Sequence, residues 1–160
     1  MEINNINASV SVEAERYLRS VLNALPAAIY TTDVTGKLTF YNQAAARLWG
    51  RHPRLGEEYW CGSWRIFRLD GTLLPHEECP MALALRENRP VRGVMAIAER
   101  PNGTRFPFLP FPTPLHDENG NLTGAVNMLV DISDYEGKEV LQNEMDLASS
   151  AIAAVIKKNS

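Results

Sequence analysis

The sequence predicts an α+β fold: one five-stranded antiparallel sheet with helices over one face and a further helix at each end. Three observations lead there. Arg100-Pro101-Asn102-Gly103-Thr104 lies between two strand-like runs, and Asn and Gly tolerate the positive φ of a tight hairpin turn. A second turn, His116-Asp117-Glu118-Asn119-Gly120-Asn121, divides 105–115 from 122–132. Short turns cannot support a parallel crossover, so these runs form an antiparallel meander. Upstream, a pair of strand runs and a stretch of short helices precede the meander, which is an α+β order.

The elements follow in chain order. Residues 1–10 are Asn-rich without a usable period and read as a loose arm. Residues 11–25 form an amphipathic helix: Ser11 caps it, Glu13 and Glu15 suit its positive end, and Ala14, Tyr17, Leu18, Val21, Leu22 and Leu25 keep helical spacing. Pro26 stops it. Ala28–Asp33 is β-branched and aromatic, and Val34-Thr35-Gly36-Lys37 turns it back into Leu38–Tyr41. Asn42 caps a short helix over 43–49, which Gly50 ends. Residues 51–75 hold few regular signals beyond a turn at Arg68–Thr72. Pro80 suits a first helical position, Met81–Asn88 follows, and Pro90 bars continuation. Val91–Glu99 supplies the first meander strand. The next run carries Pro107, Pro110, Pro112 and Pro114, so its pairing on one side must be broken or bulged.

Bulk properties narrow the function. At 160 residues the chain suits one domain with appendages, and its 45% hydrophobic and 22% charged residues are those of an ordinary globular protein. A net charge of −3 gives no basic face for nucleic acid or an anionic membrane. No apolar run reaches a membrane span, and no signal peptide is recognisable. Two cysteines, Cys61 and Cys79, are too few for a disulfide framework. These features lead us to expect a cytoplasmic protein.

Particular words then bring a family into view. Leu25-Pro26-Ala27-Ala28-Ile29-Tyr30-Thr31-Thr32-Asp33, Gly36-Lys37-Leu38-Thr39-Phe40-Tyr41-Asn42-Gln43-Ala44-Ala45, Asp117–Gly124 and the closing Asp131-Ile132-Ser133 together resemble a PAS domain. The segment Trp60–Leu74, with Pro75–Met81, is similar to PAS modules of bacterial sensor histidine kinases. The resemblance implies a core over 26–133, a pocket between sheet and helices, and flanking helices that dimerise and carry the signal. It also implies that Leu129, Asn127 and Ala125 of the last strand face the ligand. Alternation then puts Val126, Met128 and Val130 on the outer face, where the N-terminal helix can lie. The remaining expected lining is Tyr30, Phe40, Trp64, Met81, Leu85, Met95 and Phe108, while Trp49, Phe67 and Phe111 are further aromatic candidates; each aromatic is more simply read as core. Asn127 needs a hydrogen-bond partner, which is either a ligand or a neighbouring backbone group.

Other chemistries are weaker. His76 precedes the helix that holds the haem-ligating histidine in haem-binding relatives, which makes haem possible. The simpler reading is a polar turn residue bonded near the helix start. His76, Cys79 and Cys61 supply His-x-x-Cys and too few ligands for a zinc site. Cys79 reads as a cap or a packed residue, and a Cys-His dyad lacks an orienting third group. Flavin is disfavoured because the Gly-x-Asn-Cys-Arg-Phe-Leu-Gln word is absent. Leu141, Met145, Ala148, Ile152 and Val155 are spaced 4-3-4-3, the seam of a dimer helix over 134–160. No histidine follows His116, so no phosphoacceptor helix is present. The expected function is a non-catalytic, homodimeric sensor that binds a small, mostly apolar ligand. Asp131, Ile132 and Ser133 would relay occupancy to the C-terminal helix and a signalling partner such as a kinase or regulator. It is either a stand-alone protein or a piece of a longer kinase. The alternative is a ligand-free interaction module.

Overall fold

The computed structural model describes residues 2–134, with side chains from residue 8 onward. The C-terminal seam Leu141, Met145, Ala148, Ile152 and Val155 lies outside the described residues.

Helix α1 spans Glu2–Ala24, so the segment expected as a loose arm is helical from Glu2. The asparagines there cost only tenths of a kcal/mol each in helix propensity, and Ile3, Ile6 and Val10 extend the apolar period upstream. β1 (Ala28–Asp33) and β2 (Leu38–Tyr41) form the first hairpin. Its turn is tied by Asp33 Oδ1, which accepts the N–H groups of Thr35 (2.9 Å) and Lys37 (3.1 Å). α2 (Gln43–Trp49) ends at Gly50, whose φ of 67° is open to glycine at little cost.

Asn42 does more than cap α2. Its Oδ1 accepts from Ala45 N (2.9 Å) and Ile29 N (3.0 Å), and its Nδ2 donates to Leu22 O (2.9 Å) and Ala27 O (2.7 Å). A wholly buried carboxamide is affordable only because every bond is made. It joins α1, β1 and α2 at one point.

The region without regular signals holds β3 (Arg65–Phe67) and β4 (Leu73–Leu74), a hairpin closed by the Arg68–Thr72 turn. A 3-10 turn at His76–Glu78 leads into α3 (Pro80–Glu87), which has Pro80 in its first turn as expected. The meander strands are β5 (Ala96–Glu99), β6 (Arg105–Pro110), β7 (Thr113–His116) and β8 (Leu122–Asp131). β5 is shorter than the expected Val91–Glu99. Val91 N instead donates to Pro112 O, and Arg92 bonds to Pro112 O and Thr113 Oγ1.

The sheet order is β2-β1-β8-β6-β5-β3-β4, with β7 also paired to β8. β6 and β7 are one strand interrupted at Phe111-Pro112, as the prolines require: β6 pairs Phe108–Pro110 with Asp131–Leu129, and β7 resumes at Thr113 opposite Val126. The five expected strands are therefore present, extended at one edge by β3 and β4. β8 lies between β1 and the broken strand, so whatever moves it moves both halves of the sheet.

One face of the sheet, covered by α2 and α3, holds the main core of Tyr30, Leu38, Trp49, Ile66, Met81, Leu85, Phe106 and Phe108. Trp49 meets Tyr30 and Tyr41 edge-on, with centroids 5.3 and 5.8 Å away. The opposite face carries a smaller cluster of Leu109, Phe111 and Ile132, with Met95, Met128 and Val130 against it. The last turns of α1 meet β1 and β2, where Arg19 sits 5.6 Å from the Phe40 ring centroid.

Candidate functional site

Strand alternation and a helical roof gather most of the expected lining. Tyr30, Met81, Leu85, Phe108, Ala125 and Leu129 share the buried core between sheet and helices. Asn127, 2% exposed, joins them on β8. Three expected residues do not. Phe40 is on the outer face beneath α1, because a β-bulge shifts the β1–β2 register: Leu38 stays opposite inward Thr32, while Phe40 falls opposite outward Thr31. Trp64 is 46% exposed, with the Arg51 guanidinium 5.8 Å from its ring. Met95 packs against the outer cluster, since Ala96 and Ala98 take the inward positions of β5. Phe111 is in that outer cluster too.

A short chain of buried polar groups crosses the core. Tyr30 Oη donates to Trp60 O (2.8 Å), Asn127 Nδ2 donates to Tyr30 Oη (3.1 Å), and Asn127 Oδ1 accepts from Phe111 N (2.9 Å). Phe111 is at the interruption between β6 and β7, so this chain connects the loop before β3 to the weakest point of the sheet. Asn127 thus has the neighbouring-backbone partner that was one of its two expected states. Burial, reinforced by the nearby Cys61 and Cys79, pushes the Tyr30 phenol well above its usual range and keeps it a donor. Two buried polar atoms of the described side chains, Thr32 Oγ1 and Trp49 Nε1, have no partner. Both lie on elements that wall the same core.

Trp60 was not anticipated as part of the site. Its φ of 71° costs about 1 kcal/mol or more in a residue with a Cβ. Trp60 N donates to Gly36 O (2.7 Å), and the indole lies so close over Gly36 that a Cβ there would meet it at 2.2 Å. Only a glycine in the β1–β2 turn admits this contact. The half-buried indole faces a cleft of about 370 Å³ bounded by Val34, Glu77, Ala82, Leu85 and Arg86. The local signal was the pairing of a glycine turn with a tryptophan in an irregular segment, and nothing short-range links the two.

His76 lies in the turn before α3, where Nε2 pairs with Ser63 O (2.8 Å), as its simpler reading expects. It lines a second surface cleft with Arg51, Glu58, Cys61, Ser63 and Trp64. Its Nε2 is engaged by a backbone carbonyl there. Trp49, Tyr30 and Met81, each 1% exposed or less, are packed in the interior. Both thiols are buried. Burial drives Cys79 up to about 12 and also raises Cys61, against the lowering effect of its bonds to Ser63. Cys79 holds the N-cap position of α3 without a side-chain cap bond, and it packs instead. No group of three or more His, Cys, Asp or Glu suited to a metal ion occurs among the described residues.

At the end of β8, Asp131 Oδ1 accepts from Ser133 N (2.9 Å), and Ile132 N donates to Pro107 O (3.0 Å). Ile132 is buried in the outer cluster, while Asp131 and Ser133 are exposed. The three residues form a pinned exit from the sheet.

The sequence profile of the PAS domain matches residues 26–134, more than half of the chain. The chain belongs to the PAS domain family. Its residues 26–134 are a PAS sensory domain. Solved structures share the fold. An RNA-binding light-oxygen-voltage receptor aligns with a TM-score of 0.56 at 21% identity, over 86% of this chain and 37% of its own. This chain therefore spans little more than a third of that receptor. The PAS domain of BvgS from Bordetella pertussis aligns with a TM-score of 0.52 at 20% identity, covering 85% of this chain and 98% of its own. A PAS domain from a two-component sensor histidine kinase aligns at 0.50 with 12% identity, over 76% and 98%. No curated protein matches the sequence. Among the described residues, no helix is long and apolar enough to cross a membrane.

Proposed function

We propose that this PAS domain is a non-catalytic sensor, in which a small, mostly apolar ligand alters the core between sheet and helices and β8 relays the change. The observation that carries this reading is the Trp60–Tyr30–Asn127–Phe111 hydrogen-bond chain. It ties a strained loop to the interruption of the sheet strand beside β8. Asp131, Ile132 and Ser133 pass the shift to the C-terminal segment, which acts on a signalling partner such as a kinase or regulator. The unpartnered Thr32 and Trp49 atoms support a ligand or ordered water in the core. A ligand acts only by preferring one arrangement of this chain over the other.

The domain dimerises through its flanking helices. Support comes from α1, which leaves Tyr17 74% and Leu18 57% exposed, and from the Leu141–Val155 spacing. The setting is cytoplasmic, in keeping with two reduced thiols.

A second reading, a ligand-free interaction module, is favoured by one specific observation: Trp49, Tyr30, Leu38 and Met81 fill the interior. One experiment separates the two. Protein made in its native host is denatured, and what it releases is identified by mass spectrometry alongside an absorption spectrum. A defined small molecule supports the sensor. A Soret band lost on His76→Ala overturns the placement of His76 and makes it a haem sensor. Empty protein moves the interaction module ahead.

A further inference from the structure

A cleft of about 370 Å³ opens beside Trp60. Its walls are Trp60, Val34, Ala82 and Leu85, and its rim carries one carboxylate, Glu77, and one guanidinium, Arg86. Arg86 Nη2 donates to the backbone carbonyl of Glu77 (3.2 Å), which holds the cationic head at the same rim as the carboxylate. Neither side chain forms an ion pair among the described residues, in contrast to neighbouring Glu78, which is paired with Arg68 at 2.8 Å. A simple anion here would meet Glu77, and a simple cation would meet Arg86. The rim is neutral overall and polarised, with an apolar floor beneath it. That pattern complements a molecule with an ammonium and a carboxylate on one carbon and an apolar tail.

We propose that this cleft binds a free α-amino acid with an aliphatic or aromatic side chain. Its carboxylate sits on Arg86, its ammonium on Glu77, and its side chain against Trp60 and Leu85. The site also explains how occupancy reaches the core. The ligand's tail presses on the indole of the residue whose carbonyl holds Tyr30 Oη. Displacing a loop already held at positive φ is easier than displacing relaxed backbone. This coupling rests on the sensory reading above, whereas the binding itself does not.

The test uses the full chain and L-leucine. Titration followed by nuclear magnetic resonance is expected to give a saturable shift of the Trp60 indole N–H in the millimolar range or tighter. N-acetyl-L-leucine lacks the ammonium and L-leucinamide lacks the carboxylate; each is expected to bind about tenfold more weakly, the loss of one charge-assisted contact. Glu77→Gln erases the discrimination against N-acetyl-L-leucine, and Arg86→Gln erases that against L-leucinamide. Both positions are exposed, so the variants fold. No saturable shift, or preferences unchanged in both variants, overturns the site. The Asn127 Nδ2 resonances report the coupling. If L-leucine binds and they stay still, the coupling is overturned while the site stands. If L-leucine fails to bind but a core ligand is released from native protein, the cleft assignment falls and the sensor remains.

Discussion

Replacing Tyr30 by Phe and Asn127 by Leu removes the same buried chain from its two ends, and the structure predicts unequal costs. In Asn127→Leu, Phe111 N keeps a partner, since it also donates to Met128 O at 2.9 Å. Tyr30 Oη keeps Trp60 O as its acceptor. Two hydrogen bonds vanish at about 1 kcal/mol each, yet no partner is stranded, so the cost is about 2 kcal/mol. In Tyr30→Phe, Asn127 remains 2% exposed with its Nδ2 donor unpartnered, and Trp60 O loses its donor. Two bonds at about 1 kcal/mol each, with a further 1 kcal/mol or more for the stranded amide, give about 3 kcal/mol. For a domain whose total stability is about 5–15 kcal/mol, that is readily seen in urea unfolding curves. The midpoint should drop clearly further for Tyr30→Phe than for Asn127→Leu, with slopes unchanged. Equal losses, or a larger loss in Asn127→Leu, would refute the claim that Asn127 depends on Tyr30 rather than the reverse.

Two further predictions concern titrating groups. Cys79, pushed up to about 12 by burial with Cys61 nearby, and Cys61, itself raised by burial, stay protonated at neutral pH. An aromatic disulfide reagent at mild alkaline pH should modify neither promptly in native protein and both promptly in urea; prompt native reaction of either would contradict their burial. Glu58 is pushed up by burial, but Arg54 N–H and the Arg51 guanidinium outweigh this and hold it below its ordinary 4.5. A carboxyl depressed on folding stabilises above its unfolded pKa, and the benefit is lost as pH falls through the folded value. Glu58→Gln should therefore lower the melting temperature near neutrality, and the gap to wild type should close below about pH 4.5. A gap that widens on acidification would reverse the sign.

The sequence by itself determined those features whose cause is contained in a few adjacent residues. Asp33 with Gly36, Asp70 with Gly71, Asn102 with Gly103 and Asp117 with Gly120 wrote the four hairpin turns, because side-chain caps and positive φ are local matters. Asn42, Gly50 and Pro80 wrote the helix ends, and the run of prolines wrote the interruption at Phe111-Pro112. The inward set of β8, Ala125, Asn127 and Leu129, followed from alternation once the family was recognised.

Tertiary structure alone decided which aromatic is inside. Phe40 and Trp64 read like Tyr30 and Phe108, but hydrophobicity does not say which face of a strand the helices cover. β3 exists because β5 offers Arg65–Phe67 an edge at Ile97–Glu99, a pairing some thirty residues distant and invisible to local propensity, and β4 pairs in turn with β3. Trp60 reached the site in the same way, by closing on a glycine in a turn far upstream. Local signals fix dihedrals within a turn or two of chain. Which surfaces meet is fixed by how much apolar area the whole chain removes from water, and no single segment carries that sum.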